Sequence, residues 1–147
     1  MKRLIIARHG HDIGGRLSTD GERQISRLCD RLELDVNGSM LVLSSVTDRA
    51  RESAEAIAKR FAGEIELHKV LWSENNHPMD LDGALAVIRE RENRADVILV
   101  VTHYEYVVDL PAHYATKVLG GSNFPRKLID KGQAWVIDVA EKSIKVV

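Results

Sequence analysis

At 147 residues, with 44% hydrophobic and 29% charged side chains, the chain has the size of one ordinary globular domain, 1–147, with enough apolar mass for a buried core. A formal net charge of -1 removes any strong electrostatic case for a nucleic acid or a membrane surface as partner. A single cysteine, Cys29, excludes an internal disulfide framework and a cysteine-built zinc site, and no segment is long and apolar enough to span a bilayer.

The apolar run 4–7 reads as a short buried strand. It is too short for the core of a signal peptide, so the cytoplasm is the expected compartment. Arg8-His9-Gly10 falls at the carboxyl end of that strand, the edge where open α/β sheets bind ligands. A neutral imidazole can attack phosphorus, a guanidinium matches phosphate oxygens in a fork, and glycine lets backbone approach a ligand closely. Gly14-Gly15 supplies a turn. A helix follows over 20–33, with Ile25, Leu28, Cys29 and Leu32 on one stripe, which makes Cys29 a core residue.

Residues 40–43 read as a second buried strand ending in Ser44-Ser45. Thr47 or Asp48 caps the next helix, which carries Ala50, Ala54, Ile57, Ala58, Phe61 and Ala62 on one face. A weaker strand is expected over 65–70 and a turn over 73–78; Leu81, Ala84, Leu85 and Ile88 then mark a third helix. The clearest strand is 97–101, an unbroken apolar run of the kind covered on both faces. Val107, Val108, Ala115, Val118 and Leu119 suggest helix, interrupted or restarted at Pro111 and ended by Gly120-Gly121. Residues 134–139 and 143–147 form a closing hairpin around Glu141-Lys142. This alternation implies a three-layer α/β/α sandwich with a mostly parallel sheet.

Three strand ends carry polar side chains: Arg8-His9-Gly10, Ser44-Ser45 leading to Arg49, and Thr102-His103. Parallel strands bring their carboxyl ends to one edge, so two histidines and two arginines converge there. That set suits phosphoryl transfer without a metal: one imidazole attacks while cationic donors hold the non-bridging oxygens. The unperturbed pKa of histidine, about 6.5, lies near working pH, and Arg8 and Arg49 are expected to keep His9 neutral. A hydrogen bond from His9 Nδ1 to a carbonyl would free the other nitrogen for attack.

On these residues the chain resembles the histidine phosphatase superfamily, the phosphoglycerate-mutase-like proteins with an RHG signature. Arg8-His9-Gly10 matches the signature. The stretch from Leu17 to Gln24 is similar to the family's "LTxxGxxQ", the stretch from Ser45 to Ala54 to its "SPLxRAxQTA", and Val100-Val101-Thr102-His103 to its second histidine strand. The resemblance implies the phosphoglycerate-mutase-like fold, with His9 as the phosphorylated nucleophile and Arg8, Arg49 and His103 as a phosphate pocket. Glu74, at the family's "LxE" position, is the implied general acid, set against the plain reading of a solvated loop glutamate; Asp12 and His11 stand in reserve. Gly10, Ser45 and Tyr104 are candidate substrate contacts.

Three departures stand out: Val46 where the family has proline, Tyr104 where glycine or asparagine often follows the second histidine, and His11-Asp12 in place of "ET". The length is similar to that of the small SixA-like phosphohistidine phosphatases and leaves no room for the insertions of true mutases. The expected substrate is a phosphorylated small molecule or a phosphohistidine protein, with no cofactor and no metal, and nothing in the pattern specifies an oligomer. Two competing readings remain at this point. One is a member that binds a phosphorylated ligand or a partner protein with weak catalysis. The other is a metal-dependent hydrolase built on His9 and His11. Arg51, Arg60, Arg89, Arg91 and Arg94 read as solvated helix faces, His68 and His113 as structural or exposed, and His77 as a loop residue at the rim. Lys117, Arg126, Lys127 and Lys131 make the segment around Gly120-Gly121 locally basic.

Overall fold

In the computed structural model, which describes residues 1–74, 76–121 and 123–147, the strand–helix alternation becomes a six-stranded sheet between two helical layers. Asn75, in the expected turn over 73–78, lies outside the described residues. In chain order the elements are β1 (Arg3–Arg8), β2 (Asp12–Ile13), β3 (Arg16–Leu17), α1 (Thr19–Leu32), β4 (Met40–Ser44), α2 (Asp48–Phe61) and β5 (Glu64–Leu67). There follow a single 3-10 turn (Lys69–Leu71), α3 (Leu81–Arg89), β6 (Val97–Thr102), α4 (Tyr104–Val118), β7 (Ala134–Asp138) and β8 (Ser143–Val146). The sheet order is β5-β4-β6-β1-β7-β8; the first four strands are parallel, and the closing hairpin β7–β8 adds antiparallel to β1.

The unbroken apolar runs of β1, β4 and β6 follow from cover on both faces. Leu4, Ile6, Leu41, Leu43, Ile98 and Val100 pack against Ala84 and Ile88 of α3 and Tyr106, Leu110 and Tyr114 of α4. Ile5, Ala7, Val42, Leu99 and Val101 face Ile25, Leu28, Cys29 and Leu32 of α1 and Ala50, Ala54 and Ile57 of α2. Cys29 is a core side chain, and burial first of all pushes its thiol up to about 11. Ser18 caps α1, accepting from the Gly21 amide at 3.0 Å. The hairpin β2–β3 turns through Gly14 and Gly15 at φ 60° and 82°, the both-positive geometry for which glycine is favoured.

Two expectations need correction. The third parallel strand stops at Leu67 rather than running to 70. The chain there leaves the sheet edge through the 3-10 turn, which carries Leu71 into the layer of α3 and α4 at 0% exposure. Nor does Pro111 break the last helix: α4 runs unbroken from Tyr104 to Val118. Proline lacks the amide that would bond the carbonyl four residues back, which is that of Val107. Trp135 Nε1 on β7 donates to that carbonyl at 2.9 Å, so the orphaned acceptor is satisfied from the neighbouring strand.

Candidate active site

Strand register sets the site. Arg8 pairs with Thr102 across β1 and β6, so the next residues, His9 and His103, leave the sheet side by side, with ring centroids 5.3 Å apart and planes at 61°. Ser44 pairs with Val101 across β4 and β6. Ser45 therefore reaches the same place, and its Oγ lies 2.7 Å from His103 Nε2. Arg49, in the first turn of α2, completes the group with Nε 3.3 Å from His9 Nε2.

Both imidazoles are buried, His9 at 5% and His103 at 3% exposure. His9 Nδ1 lies 2.8 Å from the Gly10 carbonyl, which can only accept, so Nδ1 carries the proton and Nε2 presents its lone pair toward Arg49. Burial is the main force holding His9 neutral, lowering its pKa to about 4, with Arg49 adding to it against the Gly10 hydrogen bond. The expectation that the two arginines would do this is corrected: desolvation leads and Arg49 follows. His103 falls to about 3 through burial first, then through His9 and Arg49.

Arg8 Nη1 donates to the Ile129 carbonyl at 3.0 Å, and its Cζ lies 5.8 Å from the Tyr104 ring centroid. Its Nε is buried with no partner among the described residues, and burial lowers the pKa of this guanidinium, which stays charged. Arg49 Nη2 holds Glu74 Oε1 at 3.0 Å, and that contact leads the causes lowering the Glu74 pKa. Glu74 is thus ionised in the resting cleft. The turn that carries it closes through reciprocal backbone bonds between Glu74 and His77, and the His77 ring stacks on Trp72 at 4.3 Å.

These side chains enclose a cleft of about 400 Å³ at the carboxyl edge of the sheet. Arg8, His9, Arg49, Glu74, His103 and Tyr104, all singled out from sequence, line it; Ser73, Asn76 and Glu105 join them. Gly10 and Ser45 do not line it. A side chain at Gly10 would collide with the Gly21 carbonyl at 2.8 Å, so this glycine serves packing against the start of α1. Ser45 acts through His103. His11 Nδ1 is 2.7 Å from Ser18 Oγ, and its ring lies in a separate shallow groove with Asp20 and Arg23, while Asp12 pairs with Lys131 at 3.3 Å. His9 and His11 therefore do not share a cavity, and no group of three or more His, Cys, Asp or Glu among the described residues is placed to hold a metal ion.

Ser53 escaped the sequence reading. Its Oγ donates to the Arg49 carbonyl at 2.7 Å and accepts from the Gly10 amide at 3.1 Å, tying α2 to the histidine loop. A polar residue on the apolar stripe of α2 was the available signal.

Neither a family model nor a curated protein matches this sequence. Solved structures do. The chain is similar to the protein histidine phosphatase SixA complexed with tungstate, at 16% identity over 99% of this chain and 94% of that one, with a TM-score of 0.75. The fold is the one seen in that phosphatase. A mycobacterial glucosyl-3-phosphoglycerate phosphatase complexed with VO3 matches at 14% identity over 100% and 97% of the two chains, with a TM-score of 0.68. The alpha-ribazole phosphatase of Shigella flexneri matches at 16% over 99% and 94%, with a TM-score of 0.63. On this histidine phosphatase fold, the four stretches that carried the resemblance occupy the end of β1, the start of α1, the start of α2 and the end of β6.

Proposed function

We propose that this chain is a phosphatase that works through a phosphorylated His9 and without a metal ion. The observation that carries the reading is the His9 imidazole, locked by its Nδ1 proton on the Gly10 carbonyl with Nε2 turned to Arg49. Two histidines and two arginines share one cleft at the edge where α/β sheets bind ligands. The tungstate and VO3 complexes of two similar structures support an oxyanion pocket in this fold.

An arriving phosphate takes the guanidinium donors of Arg8 and Arg49 on its non-bridging oxygens. Arg49 then releases the His9 lone pair, and the dianion favours a protonated His103. His9 Nε2 attacks phosphorus, the bond to the leaving oxygen breaks, and Gly10 holds the developing imidazolium through Nδ1–H. Drawing Arg49 to the phosphate removes the cation that keeps Glu74 ionised and adds a like charge nearby. Glu74 can then carry the proton that the leaving oxygen needs. Water, its proton taken by Glu74, attacks the phosphorus of phospho-His9, which restores the neutral imidazole and frees phosphate. The substrate class is a phosphomonoester or a protein phosphohistidine.

Hydrolysis of a chromogenic phosphomonoester in excess EDTA tests the proposal. Turnover by the wild type that disappears in His9→Ala is the expected result; activity that returns only with added metal contradicts it.

A further inference from the structure

The cleft is lined by charges of both signs, and we infer that Glu105 selects phosphate esters whose remaining part carries a positive charge. This rests on the phosphate pocket proposed above. Arg8 and Arg49 line the cleft together with the carboxylates of Glu74 and Glu105 and the half-exposed ring of Tyr104.

Glu105 sits in the first turn of α4, where a carboxylate suits the helix dipole whichever way it points. Its direction comes from Ser73: the buried Ser73 hydroxyl donates to Glu105 Oε2 at 2.6 Å, which holds the carboxylate on the cleft wall. Oε1 has no hydrogen-bond partner among the described residues. Glu74 is already paired with Arg49, so Glu105 is the acceptor left for a ligand. Once phosphate draws Arg49 inward, Glu74 takes up the proton for the leaving oxygen, and Glu105 remains as the charged carboxylate.

An ester bearing a carboxylate or a second phosphate must place that anion against these groups. An aminoalcohol phosphate instead brings its ammonium to Glu105, which attracts it. Asp12 and Lys131 neutralise each other away from this wall and do not alter the ranking.

Three phosphate esters test this: phosphoethanolamine, glycerol phosphate and phosphoglycerate, which are cationic, neutral and anionic beyond the phosphate. Dissociation constants are measured in the His9→Gln background, so that no ester is consumed, with and without Glu105→Gln. The kcat/KM values are measured with His9 present. Phosphoethanolamine is expected to bind about tenfold or more tighter than phosphoglycerate, and Glu105→Gln, which keeps the Ser73 hydrogen bond, to shrink that ratio roughly tenfold. A purely structural role would weaken all three esters alike. A ratio near one, a ratio unmoved by Glu105→Gln, or no binding of any ester overturns the inference. Charge-ranked binding without turnover of any ester supports the inference and removes the phosphatase reading instead.

Discussion

Two concavities sit at opposite edges of the same sheet, and the smaller one holds the candidate site. The amino-terminal edge, between the start of β4, the end of α2 and the start of β5, holds a hollow of about 680 Å³ against about 400 Å³ for the carboxyl-edge cleft. Its charged groups already have partners: Arg94 rests on Glu66 and Glu64, and Ser39 is tied to Asp96. In the cleft, by contrast, two imidazoles are stripped of water, Arg8 Nε has no partner among the described residues, and the Arg49 guanidinium rests on His9 and Glu74, contacts that a ligand can replace. Buried cationic donors awaiting an acceptor mark a site better than volume does.

Substitutions at the two edges separate them. His9→Gln should lower kcat by about three orders of magnitude or more, the scale of removing an attacking group, with the fold retained by circular dichroism. Arg49→Lys keeps the charge but loses the fork, and a loss of about a hundredfold in kcat/KM is expected. Arg94→Ala at the opposite edge should leave kcat/KM within about twofold and cost no more than about 1 kcal/mol in urea unfolding, since its ion pairs are half-exposed. A large activity loss there would erase the contrast.

The buried histidines give that contrast a pH signature. His9 must be neutral to attack, and its folded pKa of about 4 places its acid limb in kcat/KM near pH 4 rather than 6.5. Stability follows the same depression. Below pH 6.5 the unfolded chain protonates both imidazoles while the folded chain resists. Stability is therefore full above 6.5 and falls as pH drops toward about 4 for His9 and about 3 for His103. Each group contributes a slope of up to about 1.4 kcal/mol per pH unit in that window. Unfolding midpoints from pH 7 to 4 should show the slope, and His103→Gln should remove part of it.

The fold was legible in the chain because β1, β4 and β6 carry the unbroken apolar runs 4–7, 40–43 and 97–101, a pattern that two-sided cover explains. The convergence of Arg8, His9, Arg49 and His103 was legible because strand-end residues inherit their neighbours from parallel register. Partner choice at longer range was not. That Ser45 belongs to His103, that Ser53 holds the Gly10 amide, and that Glu105 is held by Ser73 depend on contacts between residues 58, 43 and 32 positions apart. The unbroken α4 was hidden for the same reason, since the Pro111 defect is repaired by Trp135 on another element.

The most direct test of the central claim is mass spectrometry of the protein mixed with a chromogenic phosphomonoester and quenched in alkali, where phosphohistidine survives. The account predicts that one phosphoryl group appears on the peptide carrying His9, at a rate that accounts for turnover. Turnover with that peptide unmodified, or with the phosphoryl group on another residue, would contradict it.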